Sequence, residues 1–174
     1  DRDIQYGMLP AGIGNSFLRD IDDVSPETWL AHVLAGKTRK VDVVEFTYFH
    51  EGKEVRCYYL NILGIGLIAD ILKLTYEKLK FLGALGYSLA VLIRLFRGMN
   101  NRITVREDDN EFELKNSALV INNSKYTGGE MKIAPMADTA DGKVDMIVFN
   151  QVNRRDILSI FSRVFKGSHI AHPK

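Results

Sequence analysis

The side chains best suited to chemistry lie in three short stretches. The first is Tyr58–Ile71, an apolar run in which Asn61 and Asp70 are the two strongly polar side chains. A buried polar group costs free energy unless it is paired, so an Asn and an Asp in such surroundings point to a specific task. Asp70 could orient a substrate hydroxyl, or cap the helix that follows. The second stretch is Asp138-Thr139-Ala140-Asp141-Gly142-Lys143. Mg²⁺ accepts a few carboxylate and carbonyl oxygens plus waters, which such a turn could supply. Asp-Gly before a strand is equally an ordinary tight turn. The third is Pro10-Ala11-Gly12-Ile13-Gly14-Asn15, where two glycines permit a sharp turn. Asn15 or Ser16 can cap a short helix through Ile21. Amides at a helix start favour anions, so this loop is a candidate phosphate seat as well as a plain connection.

Other chemistry finds less support. His169 and His172 lie three apart with no Cys or third His nearby, too few ligands for zinc. No local motif suggests a Ser–His–Asp or Cys–His arrangement. The single Cys57 allows no internal disulfide, fits a reducing compartment, and reads as a small core residue on a strand. Net charge is +1, which argues against nucleic acid as the main partner. The basic surplus is local: Arg154–Lys174 holds five Lys/Arg and one acid.

The elements that must hold these groups are mostly short strands. Ile4–Leu9 reads as a strand. Ser25-Pro26-Glu27 is a strong helix start, with Ser as N-cap, Pro at the first position and an acid in the first turn. That helix stops at Gly36. Val41–Phe49 and Glu54–Asn61 alternate and are joined by His50–Lys53 as a hairpin. Lys73–Arg97 reads as a helix, broken near Gly83 or Gly86. Its apolar residues cover nearly the whole circumference between Leu79 and Leu95. Such a helix is buried, lines an apolar cavity, or dips into an interface. Lys73, Lys78, Lys80, Arg94 and Arg97 flank it, which suits an anionic lipid surface or plain solvation. Its charge-free part, Phe81–Ile93, is well short of the roughly 20 residues a membrane span needs.

Further on, Arg102–Glu107 and Glu111–Lys115 form a second hairpin. Ala118–Asn122, Met131–Ala134 and Val144–Phe149 are strands, and Asn153 caps a helix that ends at Gly167. Several short strands with regular turns predict an α+β, mainly β fold: an antiparallel β-sandwich with a few packed helices. At 174 residues the chain fits one domain, or one domain with a piece of another. It shows no signal peptide and starts at Asp1, so we read it as an excised part of a longer protein.

Several stretches together resemble the diacylglycerol kinase catalytic family, which includes sphingosine kinases and bacterial lipid kinases. Leu9–Asn15 is similar to the family's Pro-x-Gly-Thr-x-Asn loop. Asn61–Ile71 resembles its Asn-x-x-Gly-x-Gly-x-Asp-Ala segment, and Ile68-Ala69-Asp70 is particularly like the sphingosine kinase version. Lys125–Asp145, with Gly128-Gly129, Ala134-Pro135 and Asp141-Gly142, resembles the Gly-Gly…Pro-x-Ala…Asp-Gly-x-Leu/Phe-Asp segment. Lys166–Lys174 looks like the stretch before the last strands of bacterial members. The matches run in order over essentially the whole chain.

The resemblance implies two domains with the active site between them. Residues 1–36 would be the C-terminal remnant of an α/β nucleotide-binding domain, and residues 37–174 most of a β-sandwich lipid-substrate domain, incomplete at its C-terminus. It implies ATP-dependent phosphorylation of a hydroxyl of diacylglycerol or a related lipid, a sphingoid base included. By position, Gly12, Ile13, Gly14 and Asn15 would touch the nucleotide, and Asn61 and Asp70 the lipid substrate. Asp141, with backbone carbonyls at Asp138 and Lys143, would hold a structural Mg²⁺. The implied setting is cytoplasmic, with the protein bound peripherally at a membrane surface and with a homodimer as one possible state. Ile13 departs from the family's Thr or Ser and removes a hydroxyl that could meet a phosphate. The phosphate loop Gly-Gly-Asp-Gly-Thr is expected ahead of Asp1, and the catalytic base, in an Asp-Gly-Glu motif, beyond Lys174. Neither motif occurs within the 174 residues, so no catalytic residue is assigned and the chain alone is expected to be inactive. The alternatives are a non-catalytic lipid-binding module, or an NAD-kinase-like phosphotransferase, which a polar cleft beside Asp70 would favour.

Overall fold

The computed structural model describes residues 5–12, 14–23, 25–82, 84–97, 101–115, 117–128 and 130–173. Two short helices come first, α1 (Ser16–Arg19) and α2 (Pro26–Leu34). The α2 start follows the sequence signal: Ser25 Oγ accepts the Thr28 amide at 3.1 Å, with Pro26 at the first position. Trp29 is buried and donates its indole N–H to the Asp23 carbonyl.

Next comes a hairpin of β1 (Val44–His50) and β2 (Lys53–Tyr59), antiparallel with Val44 opposite Tyr59. Its two-residue turn places Glu51 and Gly52 both at positive φ, the geometry that matches strand twist. Then β3 (Ile62–Gly66) runs directly into α3 (Leu67–Leu74). A π-turn at Thr75–Leu79 and a 3₁₀ turn at Lys80–Leu82 lead to α4 (Ala84–Arg97). A second hairpin pairs β4 (Arg102–Glu107) with β5 (Asn110–Lys115). The central strand β6 (Ala118–Asn122), the small pair β7 (Tyr126–Thr127) and β8 (Met131–Lys132), β9 (Asp145–Phe149), α5 (Arg154–Val164) and a 3₁₀ turn at Ser168–Ala171 complete the chain.

The organising sheet is antiparallel in the order β3-β6-β9. Ala118, Leu119 and Val120 of β6 are all nearly inaccessible, as a middle strand requires. Ala118, Val120 and the neighbouring Phe149 belong to one core with Ile71 of α3, Ala90 and Val91 of α4, and Ile160 and Val164 of α5. Helix α5 is set by a capping box: the Asn153 side chain accepts the Asp156 amide, and the Asp156 carboxylate accepts the Asn153 amide. The fold is α+β, with small antiparallel sheets and a few packed helices.

Some local expectations are corrected. Residues 5–9 form no strand, since no neighbour pairs with them; Ile4 lies outside the described residues. The helix expected from Lys73 begins earlier, at Leu67, and breaks at the π- and 3₁₀ turns. Thr75 contributes to that break by donating its hydroxyl to the Ile71 carbonyl at 2.8 Å. Gly83 lies outside the described residues. Gly86 does not break α4; it lets α4 approach the preceding turn, since a Cβ there would meet the Leu79 carbonyl oxygen at 2.3 Å.

Candidate functional site

Asn61 and Asp70 lie at opposite ends of β3. Asn61 precedes the strand, and Asp70 stands in the first turn of α3 beyond it. Gly64 and Gly66 make the strand-to-helix reversal possible. A Cβ at Gly64 would meet Ile68 Cγ2 at 2.5 Å, and Gly66 has φ 75° with the Ser117 carbonyl 2.8 Å from where a Cβ would sit. Asp70 is not the cap of α3; that position belongs to Gly66.

Around Asn61 lies a buried polar cluster. The Asn61 side-chain oxygen accepts from Ser124 Oγ, and its backbone carbonyl accepts the Asn123 amide at 2.9 Å. Asn123 Nδ2 donates to the carbonyls of Leu60 (2.8 Å) and Asp42 (3.0 Å). Asn122 Nδ2 donates to those of Val120 (3.1 Å) and Asp145 (3.0 Å). Asn122, Asn123 and Ser124 are fully buried. These amides satisfy carbonyls at the strand ends that the ladder leaves over. The sequence signals this cluster only by three adjacent polar residues, Asn122–Ser124, after an apolar run.

The cluster leads to the end of α1, the short helix that follows the Gly12–Asn15 loop. Next to Ser124, Lys125 donates its amide and its Nζ to the Asp20 carboxylate at 3.0 and 3.1 Å. That carboxylate is 2% exposed and directly follows α1. Asn15, the residue before α1, is left-handed (φ 45°) and makes no side-chain cap bond. Its Oδ1 accepts the Gly12 amide at 3.0 Å, while its Nδ2 donates to the Pro10 carbonyl at 3.3 Å. The loop is thus braced from within, with the Gly12 N–H engaged. Ile13 lies outside the described residues.

The acidic turn adjoins the same polar end. Asp42 Oδ2 accepts the Gly142 amide at 2.7 Å, and the Asp42 amide donates to the Thr139 carbonyl at 2.7 Å. Through its own carbonyl, Asp42 also meets Asn123. Asp138 Oδ1 accepts the Ala140 amide (3.0 Å) and Asp141 Oδ1 the Lys143 amide (2.9 Å). Both aspartates and Lys143 are exposed. Each carboxylate keeps its second oxygen, and the turn supplies carbonyls, so the donor set is of the hard-oxygen kind that Mg²⁺ takes. Among the described residues no group of three or more His, Cys, Asp and Glu side chains is placed to hold a metal. Sequence reading missed Asp42, which appears only as one acid in an alternating run.

The other end of β3 is apolar. Asp70 pairs with Arg94 of α4, with the aspartate side chain half exposed and the arginine less so. A cavity of about 60 Å³ lies between α3, α4, α5 and the sheet, with Ile68 and Ile71 of α3 in its wall. Ile68, Tyr87, Val91, Phe149, Phe161 and Val164 are among its walls. Burial pushes the Tyr87 hydroxyl up to about 12, so it stays a neutral phenol. The structure therefore joins Asn61 and the acidic turn through one polar network, which reaches Asp20 at the end of α1, and pairs Asp70 with Arg94 outside it.

Comparison with known proteins gives this arrangement a context. Residues 62–174 match the YegS C-terminal NAD kinase beta sandwich-like domain. The diacylglycerol kinase of Bacillus subtilis (strain 168) is 24% identical over 167 residues, 94% of this chain and 52% of that protein. The diacylglycerol kinase of Staphylococcus carnosus (strain TM300) is 26% identical over 174 residues, 98% of this chain and 54% of that one. A solved structure of a proposed diacylglycerol kinase from Bacillus anthracis str. Sterne superposes with a TM-score of 0.58 at 18% identity. It covers 94% of this chain and 50% of its own. The chain thus spans about half the length of the curated relatives it matches. With well over half of its residues in that domain match, the chain belongs to the family of the YegS C-terminal, NAD kinase beta sandwich-like domain, the bacterial lipid kinase family.

Proposed function

We propose that this chain is the lipid-facing part of an ATP-dependent lipid kinase that phosphorylates a hydroxyl of diacylglycerol or a related lipid, a sphingoid base included. One observation carries this reading: in a chain of this family, the space between α3, α4, α5 and the sheet is walled by apolar and aromatic side chains, with Ile68 and Ile71 of the helix that bears Asp70 among them. An acyl chain suits such walls, whereas the phosphates and riboses of a dinucleotide do not. This favours a lipid over the substrate of an NAD-kinase-like phosphotransferase.

In this reading Asp70 accepts a hydrogen bond from the lipid headgroup, and Arg94 orients the carboxylate. Asn61 acts indirectly, because its side chain is bonded to Ser124 at the polar end of the sheet. Gly12–Asn15 lie on the nucleotide side, joined to the lipid domain through Asp20 and Lys125. Asp138 and Asp141, with carbonyls at Asp138 and Lys143, would hold Mg²⁺, whose charge stabilises the turn. Asp42 fixes that turn from behind through the Gly142 amide. The γ-phosphoryl of ATP is the group transferred, in line, to the hydroxyl. The setting is cytoplasmic, at a membrane surface.

The engaged Gly12 amide favours a second reading, a non-catalytic lipid-binding module. The deciding experiment assays a protein of the relatives' full length that contains this chain, with ATP, Mg²⁺ and micellar diacylglycerol, monoacylglycerol or sphingoid base. Phosphorylation of one lipid supports the kinase reading. A full-length protein that binds these lipids but phosphorylates none would overturn it.

A further inference from the structure

We propose that Arg94 is a specificity residue: by pairing with Asp70 it takes up the carboxylate that an amine would need, so the site accepts an uncharged, hydroxyl-bearing headgroup and rejects the free amine of a sphingoid base. The inference rests on Asp70 lying at the lipid headgroup, as in the proposed function, and narrows that reading. Arg94 Nη2 donates to Asp70 Oδ2 across the α3–α4 hairpin. A guanidinium stays protonated at every working pH, so Asp70 faces a fixed positive charge. The arginine is the more enclosed partner, its side chain 23% exposed against 52% for Asp70. Its Nε is buried without a partner. An enclosed cation needs a counter-charge, and among the described residues Asp70 supplies it. An incoming ammonium would have to take that carboxylate and leave the guanidinium uncompensated.

The two helices offer no second acid for an amine. Along α3, Asp70 is the acid and Lys73 the base; α4 has no acid and two bases, Arg94 and Arg97. Lys73 is matched by Glu77 at 3.9 Å. A cationic headgroup at Asp70 therefore meets a field that is already compensated, whereas an uncharged hydroxyl loses nothing to it. The paired carboxylate can still receive that hydroxyl, because its oxygens hold about four lone-pair sites and Arg94 does not fill them. Helical spacing ties Arg94 to the apolar cavity. Tyr87 and Val91 line it, and Arg94 follows them at i+7 and i+3, on the same face of α4. A lipid lying along that face puts its acyl chain toward Tyr87 and Val91 and its polar end toward the ion pair.

The test is binding without ATP, with a protein of the relatives' full length that contains this chain. The probes are a short-chain diacylglycerol, a short-chain sphingoid base, and the N-acetyl derivative of that base. They are titrated calorimetrically at about pH 6.5, where the free amine is protonated. The diacylglycerol and the N-acetyl derivative should each bind roughly tenfold more tightly than the free base, the scale of one partly desolvated charge. Arg94→Gln, which removes the cation but can still hydrogen-bond to Asp70, should bring the free base level with the other two. Arg94→Lys, which keeps the charge, should preserve the parent's order. Lys73→Met, which removes a charge matched by Glu77, should change the ratio by less than about twofold. Thermal midpoints identify a variant that fails to fold, and the comparison of free with acetylated base needs no variant. The proposal is overturned if the parent binds none of the probes, or binds the free base as tightly as its N-acetyl derivative. It is also overturned if Arg94→Gln leaves the ratio unchanged, if Arg94→Lys behaves like Arg94→Gln, or if Lys73→Met shifts the ratio as far. A protein that discriminates in this way but phosphorylates no lipid removes the kinase reading and leaves the role of Arg94 standing; a kinase that uses the free base as well as the diacylglycerol does the reverse.

Discussion

Asp70 and His169 show how differently two ionisable side chains are used in one fold. Asp70 is half exposed and paired with Arg94 across the α3–α4 hairpin. Under the proposed function, Asp70→Asn in the full-length kinase should lower kcat/KM about 10- to 100-fold, the loss expected from one charge-assisted hydrogen bond. Steady-state assays with micellar lipid would check this, and an unchanged kcat/KM would remove Asp70 from the headgroup site. His169 is buried, with its Nε2 2.8 Å from the Ile133 carbonyl and Nδ1 without a partner. Burial holds its pKa below the ordinary histidine value, and the bond to the Ile133 carbonyl opposes this only in part. The folded ring therefore stays neutral while the unfolded chain takes up a proton as pH falls below about 6.5. Stability contributed by His169 is complete above that pH and declines below it, down to the lower folded pKa. Urea midpoints should fall from pH 7.5 to 5.5 in the parent chain. His169→Gln, whose amide can still donate to Ile133, should flatten that slope by up to one proton.

At the scale of elements, close approaches decide which glycines matter. Gly86→Ala would put a Cβ 2.3 Å from a backbone oxygen of the preceding turn. The clash should cost about 1–3 kcal/mol, more than the ~1 kcal/mol that alanine gains in a helix. Gly142 has φ 71° but open space around it, so Gly142→Ala should cost only about 1 kcal/mol from backbone strain. Thermal unfolding of both variants would rank them, and equal losses would contradict the hairpin packing. The buried link from α1 to the β6–β7 loop is a stronger joint. Asp20→Ala leaves Lys125 without its carboxylate and should destabilise the chain by about 2 kcal/mol. A midpoint shift no larger than that of an exposed aspartate would show that the link is weak.

For the whole molecule, the proposed division of labour gives a direct expectation. The 174 residues contain neither the Gly-Gly-Asp-Gly-Thr loop nor an Asp-Gly-Glu motif, so the purified chain should show no ATP-dependent lipid phosphorylation. Turnover by the chain alone, measured with labelled ATP, would refute the idea that catalysis needs both flanking parts.

Much of the architecture was legible beforehand because it rests on local rules. Period-two runs marked the two hairpins and a short, wholly apolar run marked β6, each to within a few residues, and Ser25-Pro26-Glu27 and Asn153 marked the starts of α2 and α5 through capping chemistry that acts within four residues. Motif order alone pointed to the lipid kinase family. Tertiary packing decided the rest. It bonded Asn61 to Ser124 and Asp70 to Arg94, two separate partners that no spacing rule could assign. It brought Asp20 to Lys125 and Asp42 to Gly142 across about a hundred residues, pairings that depend on which strand ends lie side by side. It also withheld from residues 5–9 the neighbour that a strand needs, since an isolated extended segment has no partner for its amides.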